Sequence, residues 1–211
     1  MLPTISLEDK ETLEAFSKGQ TTDVFQFEAP GMKKVLKQLK PDRFSDLVLM
    51  NALYRPGLFD YIPIVIENKT ARNYRNEFPG CESILEETYG LPIYQEQIMQ
   101  MVQNLAGYSL AEGDMFRRAL TKKKVEVLFA KEAEFIERAT GNGSVTEKQA
   151  EEIFEILIPF AGYAFNKSHA VAYTMMTYWE MYMKVHFPKE YKKVIKKFRD
   201  DWNKNISKNT V

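Results

Sequence analysis

Two neighbouring arginines on one predicted helix have the clearest chemistry in this sequence. Arg117 and Arg118 follow Asp114 by three and four residues, which on an α-helix places both beside its carboxylate. We expect Asp114 to brace one guanidinium and to leave the other free. Arginine offers a phosphate two parallel hydrogen bonds, which lysine cannot do. The pair predicts an anion site, although cations that only complement the carboxyl end of a helix explain the spacing equally well.

A second cluster opens a predicted helix, in the segment 160–169 with the sequence FAGYAFNKSH. A helix amino terminus presents free N–H groups to an anion, and Tyr163 and Phe165 offer stacking faces to a base. The alternative is a corner between two helices, closed by aromatic rings and capped by Asn166 or Ser168. A third segment, NALYRPG at 51–57, by itself predicts only a turn.

No self-sufficient catalytic centre is visible. The two histidines, His169 and His186, lie on different stretches, and the single cysteine, Cys81, excludes a disulfide scaffold and a zinc ribbon. The adjacent Asp200 and Asp201 point apart on a helix and lack the convergence that two-metal chemistry needs. We therefore expect this chain to hold no metal ion.

The charge of the chain is balanced overall but segregated along it. The chain has 211 residues, of which 29 are basic and 29 are acidic. Hydrophobic residues make up 45% of the chain, which is too many for a disordered protein. Three basic clusters favour a surface that faces a polyanion, although solvated helix faces explain each cluster alone. They lie at 33–43, 117–124 and 192–199. No secretory signal and no membrane span is visible, so we expect a cytoplasmic protein.

The hydrophobic pattern predicts a mainly α fold. Apolar residues at 98, 101, 102 and 105 form one helical stripe, and Ser109 with Glu112 forms a capping box for the next helix. We expect one helical domain over 1–190, with a long loop at 61–79 and at most a minor strand near 22–27. Residues 191–211 are expected to form a basic polar tail that is disordered.

The order of several sequence blocks resembles one family, the bacterial replicative DNA polymerase III alpha subunits, in their fingers region. The resemblance runs from about residue 5 to residue 191. The blocks are VFQFE at 24–28 with GM at 31–32, NALYRPG at 51–57, TYG at 88–90, IYQEQIM at 93–99, AGYS at 106–109, RRA at 117–119 with KKK at 122–124, and GY at 162–163 with FNKSH at 165–169.

The resemblance implies a helical fingers domain of a much longer polymerase. It implies that Arg117 and Arg118 face the triphosphate of the incoming nucleotide, and that the basic run after them contacts DNA. The residues implied at the nucleotide are Arg55, Tyr163, Asn166, Lys167 and His169, and those at DNA are Lys122, Lys123 and Lys124.

The implied partners are template–primer DNA, the deoxynucleoside triphosphate, and the palm and thumb domains. A sliding clamp is expected to be reached only through regions absent from this chain, and no membrane partner is implied. The catalytic aspartates and their Mg²⁺ belong to the palm, upstream of this segment. The chain is therefore expected to bind no cofactor alone and to be inactive in isolation.

Three departures from the family pattern support an alternative function. Leu120 and Thr121 replace a Met-Gly pair, so the helix either runs on or the turn is rebuilt. Residues 67–70 lose cations, and the segment 192–211 does not align. The alternative is a free-standing or degenerate fragment that acts at most as a weak DNA-binding or protein-interaction domain.

Overall fold

The computed structural model describes residues 4–71, 78–121 and 125–208. These residues form eleven α-helices, two short 3-10 turns and no strand, so the predicted mainly α fold is confirmed. The helices are α1 (Lys10–Ser17), α2 (Pro30–Leu39), α3 (Phe44–Leu53), α4 (Ile62–Ala71), α5 (Glu82–Leu85), α6 (Gln95–Ala106), α7 (Leu110–Thr121), α8 (Val125–Gly141), α9 (Glu147–Tyr163), α10 (Lys167–His186) and α11 (Pro188–Lys208).

The chain forms two compact units. One consists of residues 1–47 together with 172–211. In its core, the fully buried ring of Phe16 lies with its centroid 5.7 Å from Phe27 and 6.2 Å from Tyr178. The boundaries between the units fall inside α3 and α10, whereas the sequence predicts a single domain to residue 190.

The other unit consists of residues 48–171 and carries every predicted site residue that the structure describes. Helices α6 to α9 surround a trio of buried aromatic rings from Phe116, Phe135 and Phe154. The ring centroids are 5.7, 6.0 and 6.1 Å apart. This core fixes the position of α7, the helix that bears the arginine pair.

Capping side chains fix where the helices of this unit begin. The N–H of Ser109 donates to the Glu112 carboxylate at 2.7 Å, and the N–H of Glu112 donates back to Ser109 Oγ at 3.3 Å. The predicted capping box of α7 is confirmed. A second reciprocal pair, Thr146 and Gln149, begins α9.

The segment near 22–27 is a series of turns, so the minor strand that the sequence allows there does not form. Asp23 and Gln26 have φ of 60° and 58°, in the left-handed region, which reverses an extended chain. The Thr21 hydroxyl closes the turn by donating to the carbonyl of Phe27 at 2.6 Å.

Two segments expected to be irregular are helical. The predicted loop at 61–79 contains α4, because Ile62 and Val65 bury one side of that helix; residues 72–77 lie outside the described part. The predicted disordered tail at 191–211 is helical as far as Lys208, within α11, and residues 209–211 lie outside the described part. This helix starts at Pro188, a favoured first residue of a helix. Among the described residues, no helix combines the length and the apolar content that crossing a membrane requires.

Candidate functional site

Asp114 binds both arginines of α7. Its Oδ1 lies 2.8 Å from a guanidinium nitrogen of Arg117, and its Oδ2 lies 2.8 Å from one of Arg118. The hydrogen bond from Arg117 is the main cause that lowers the pKa of the Asp114 carboxyl. The expectation that one guanidinium stays free is therefore wrong, because the third and fourth residues after Asp114 both reach it.

The two guanidinium groups differ in their surroundings. The side chain of Arg117 is only 13% exposed, and its Nε is buried without a hydrogen-bond partner. The side chain of Arg118 is 67% exposed. Buried N–H groups without a partner are rare in native proteins. The guanidinium of Arg118 is therefore open to solvent, and that of Arg117 is sheltered. Asp114 holds both groups and neutralises only one of the two charges.

The helix runs on through the position where the family has glycine. Leu120 is buried, and the Thr121 hydroxyl donates to the carbonyl of Arg118 at 2.7 Å, within α7. Of the two alternatives for this departure, the structure shows the continued helix. The predicted DNA-binding residues Lys122, Lys123 and Lys124 lie outside the described residues.

Arg55 lies flat against an aromatic ring of the second predicted cluster. Its guanidinium carbon is 3.4 Å from the centroid of the Phe165 ring. Its Nε is buried without a hydrogen-bond partner, and burial lowers the pKa of the guanidinium. Within the described residues, no carboxylate forms an ion pair with Arg55. The segment that by sequence predicts only a turn therefore places a partly buried, unneutralised cation on the second cluster.

The residue two positions later fixes a second aromatic ring. Gly57 has φ of +92°, which side chains other than glycine rarely adopt, and it packs directly against the ring of Tyr163. Tyr163 is half exposed at the end of α9. The Arg-Pro-Gly turn thus contacts both aromatic residues of the second cluster.

A short backbone pairing holds this cluster in place. The N–H of Phe165 donates to the carbonyl of Ile93 at 2.9 Å, and the N–H of Gln95 donates to the carbonyl of Phe165 at 2.9 Å. The pairing forms a single parallel bridge between Tyr94 and Phe165. Two of the blocks that carry the family resemblance are therefore joined by their main chains.

The amino terminus of α10 is occupied by the protein's own side chains. Asn166 is the cap, since its Oδ1 accepts the N–H of His169 at 2.8 Å and the hydroxyl of Ser168 at 2.7 Å. The N–H of Lys167 donates to Glu96 at 3.0 Å. The anion that this helix end binds in the structure is thus a carboxylate from α6.

The remaining predicted nucleotide residues surround this helix end. The ammonium group of Lys167 lies 2.6 Å from a carboxylate oxygen of Glu87. The exposed His169 has its ring edge-on to Phe165, with centroids 5.4 Å apart. The structure therefore brings Arg55, Tyr163, Asn166, Lys167 and His169 together around Phe165, while Arg117 and Arg118 lie on α7.

Sequence reasoning missed the two carboxylates of this cluster, Glu87 and Glu96. Glu96 is separated from its partners Asn166 and Lys167 by 70 and 71 residues. No short-range rule joins residues so far apart. The one available signal was that Glu96 lies in the IYQEQIM block of the resemblance.

Among residues 4–71, 78–121 and 125–208, no group of three or more His, Cys, Asp or Glu side chains is placed to hold a metal ion. The magnesium ions that the resemblance implies therefore do not fit this part of the chain.

Comparison with known proteins decides the family. Residues 1–143 match the model of the bacterial DNA polymerase III alpha subunit finger domain. The chain belongs to this family. It is 48% identical over 188 residues to the DNA polymerase III subunit alpha of Treponema pallidum, 46% over 188 residues to that of Halalkalibacterium halodurans, and 44% over 190 residues to that of Bacillus subtilis.

Each of these matches covers 89% of the chain but only 16% or 17% of the relative. The chain therefore spans about a sixth of the length of these DNA polymerase III alpha subunits. Membership of the finger-domain family accounts for the collinear blocks at 51–57, 93–99 and 162–169, which the structure joins at Phe165.

Proposed function

We propose that this chain is the fingers module of a bacterial replicative DNA polymerase, and that it positions the incoming deoxynucleoside triphosphate and the template–primer for DNA synthesis. The observation that carries the proposal is the arginine pair bound to Asp114. Two guanidinium groups share one carboxylate, so the group keeps a net positive charge in a fixed geometry. A triphosphate is the ligand class that such a fixed fork fits best.

In this proposal the two arginines have different tasks. Arg118 is the open donor and binds phosphate oxygens directly. Arg117 is the sheltered partner, which holds the Asp114 carboxylate in place beside Arg118 and adds its positive charge to the site. Preorganised charge of this kind accelerates phosphoryl transfer without reorganisation of the protein.

The cluster around Phe165 would contact the base and sugar end of the nucleotide. Tyr163 offers a half-exposed ring for stacking, and Arg55 adds an unneutralised cation against the neighbouring Phe165 ring. Asn166 and Lys167 hold α10 to Glu96 and Glu87, so they position His169 on the exposed side of Phe165. The proposal thus gives Tyr163 and Arg55 direct contacts with the nucleotide. It gives Asn166 and Lys167 a positioning role.

The chemistry itself would be completed by other parts of the polymerase. The proposed partners are DNA and the palm and thumb domains, in the cytoplasm. When bound in the palm, Mg²⁺ ions would supply the charge stabilisation for phosphoryl transfer. The residues of this chain would hold the triphosphate in line and exclude alternative orientations. We therefore expect the chain alone to bind the nucleotide without incorporating it.

Calorimetric titration of the chain with a deoxynucleoside triphosphate tests this proposal. Replacing both Arg117 and Arg118 with lysine keeps the charge and removes the fork, so we expect affinity to fall about tenfold. The matched control changes Lys196 and Lys197 to alanine and should leave affinity nearly unchanged. If the double lysine variant and the unaltered chain have equal affinity, the two arginines act only as diffuse positive charge. That result would refute their assignment as a fork that binds the triphosphate.

A further inference from the structure

The connector between α9 and α10 is tied to the beginning of α6 on both sides of Phe165. On the amino-terminal side, the side-chain amide of Gln95 donates to the carbonyl of Ala164 at 3.1 Å. On the carboxyl-terminal side, the Glu96 carboxylate accepts the N–H of Lys167 at 3.0 Å. Two neighbouring residues of α6 thus hold the main chain before and after the ring at the centre of the cluster.

The helix that carries these two residues is firmly fixed. Gln97 is buried, its Oε1 accepts the N–H of Tyr94 at 2.9 Å, and its amide donates to the carbonyl of Ile84 at 2.9 Å. Further along α6, Met101 and Val102 are fully buried. A helix fixed by its cap and by its core side chains holds the carboxylate of its first turn at a constant position.

Glu96 also decides which way the Asn166 amide points. A carboxylate accepts hydrogen bonds and donates none. Glu96 therefore faces Asn166 Nδ2, at 3.1 Å, which leaves Asn166 Oδ1 to accept the N–H of His169 at 2.8 Å. The same carboxylate complements the positive end of the α10 dipole. The start of α10 thus depends on one side chain from a distant part of the chain.

We propose that Glu96 is a positioning residue for the incoming nucleotide, an inference that rests on the proposed function. By fixing the start of α10, it keeps His169 and the ring of Phe165 in the arrangement that receives the base and sugar. That arrangement is close-packed, because the Arg55 guanidinium carbon lies 3.4 Å from the centroid of Phe165 and the His169 ring stands edge-on to it. A displacement of about 1 Å would disturb both contacts.

Calorimetric titration with two ligands separates positioning from a purely structural role. A deoxynucleoside triphosphate would contact both the cluster around Phe165 and the arginine pair of α7, whereas inorganic tripolyphosphate offers only a phosphate chain. We expect Glu96→Ala to weaken binding of the deoxynucleoside triphosphate about tenfold and to leave that of tripolyphosphate nearly unchanged. A carboxylate that only stabilises the fold would not distinguish the two ligands.

Two further variants calibrate this result. Glu96→Gln keeps a neutral acceptor for the N–H of Lys167, so affinity for the deoxynucleoside triphosphate should fall only about two- to threefold. Glu147→Ala is the matched control, since it removes an exposed acidic residue from the first turn of α9. It should change neither affinity.

Hydrogen exchange followed by NMR reports on the connector itself. In Glu96→Ala, the amides of Lys167 and His169 should exchange at least about tenfold faster, while the amide of Met101 in the core of α6 keeps its protection. If Glu96→Ala unfolds, all three amides lose protection. Glu96→Gln then decides, because selective loss at Lys167 and His169, with weaker binding of the deoxynucleoside triphosphate alone, is expected there at smaller size.

The outcomes distinguish this inference from the proposed function. Unchanged affinity of a folded Glu96→Ala chain for the deoxynucleoside triphosphate overturns the inference and leaves the proposed function intact. An equal loss of affinity for both ligands also overturns it, because Glu96 would then act on the whole fold. If the unaltered chain binds neither ligand, the proposed function fails and the inference fails with it.

Discussion

The guanidinium carbon of Arg55 lies 3.4 Å from the centroid of the Phe165 ring, with no carboxylate paired to it among the described residues. A second arginine of the same unit makes the comparison informative. Arg138 lies 3.8 Å above the Tyr108 ring, but it also donates to the carbonyls of Ala106 and Gly107 and to Glu112. Arg55 therefore keeps a buried N–H group without a hydrogen-bond partner, whereas Arg138 donates to three acceptors of the folded chain.

Replacing each arginine with methionine should separate function from stability. In Arg55→Met the loss of the cation–π contact is offset by removal of a buried, unpaired Nε, so the free energy of unfolding should stay within about 1 kcal/mol. Arg138→Met loses three hydrogen-bond partners and should cost at least about 2 kcal/mol. Urea unfolding measures both. A large loss of stability in Arg55→Met alone would make Arg55 structural, against its proposed role at the nucleotide.

The contact between Gly57 and Tyr163 predicts a steric coupling. A Cβ atom at Gly57 would lie less than 3.0 Å from three atoms of the Tyr163 ring, in addition to the strain of φ +92°. Gly107, at φ +62°, has nothing within 4 Å and is the control for strain alone. Gly57→Ala should therefore destabilise the protein by about 1 kcal/mol more than Gly107→Ala.

A double-mutant cycle checks the origin of that difference. In a Tyr163→Ala background the steric part disappears, so the cost of Gly57→Ala should fall to that of Gly107→Ala. Additive effects of the two substitutions in the free energy of unfolding would show that the turn does not position the ring.

The capping box of α7 predicts how stability depends on pH. The pKa of Glu112 is lowered from 4.5 to about 2, first by the hydrogen bond from the N–H of Ser109 and then by the Ser109 hydroxyl and Arg138. A lowered pKa in the folded state stabilises the protein above the unfolded pKa, and this contribution is lost as the pH falls toward the folded one. Unfolding free energy should therefore decrease between about pH 4.5 and pH 2.

Glu112→Gln keeps a side-chain oxygen that can accept the N–H of Ser109 but has no titrating carboxyl. The decrease in unfolding free energy at low pH should therefore be shallower in that variant. Glu155→Gln, at an exposed position on α9, should keep the slope of the unaltered chain. Urea unfolding at a series of pH values gives both slopes. Identical slopes for the unaltered chain and Glu112→Gln would contradict the coupling between this cap and folding.

The sequence predicts local features of this protein well and distant ones poorly. The helical stripe at 98–105 and the cap of α7 follow from spacings of three and four residues, which helix geometry dictates. The alternating aromatic residues at 22–27 allow a minor strand, and they do not reveal the positive φ of Asp23 and Gln26 that makes the segment a series of turns. The low apolar content of 191–211 predicts a disordered tail, although residues 191–208 are helical in the structure.

The candidate site shows the same limit. Residue types identified the arginine pair and a helix start capped by Asn166 or Ser168, of which the structure shows Asn166. The resemblance was needed to connect Arg55 with either feature. Its contact with Phe165 joins residues 110 positions apart in sequence, and the main-chain pairing of Phe165 with Ile93 joins residues 72 positions apart. Such contacts arise from packing of the whole unit, which no periodicity in one segment encodes.

The affinity of Asp114→Ala for a deoxynucleoside triphosphate tests the central claim most directly. Removing this carboxylate raises the net charge beside Arg117 and Arg118 but releases both guanidinium groups from their fixed positions. If the fixed fork binds the triphosphate, affinity measured by calorimetry should fall about five- to tenfold despite the added positive charge. If the variant stays folded and binds the triphosphate more tightly than the unaltered chain, the arginines act only as diffuse charge, and the proposed positioning of the nucleotide is wrong.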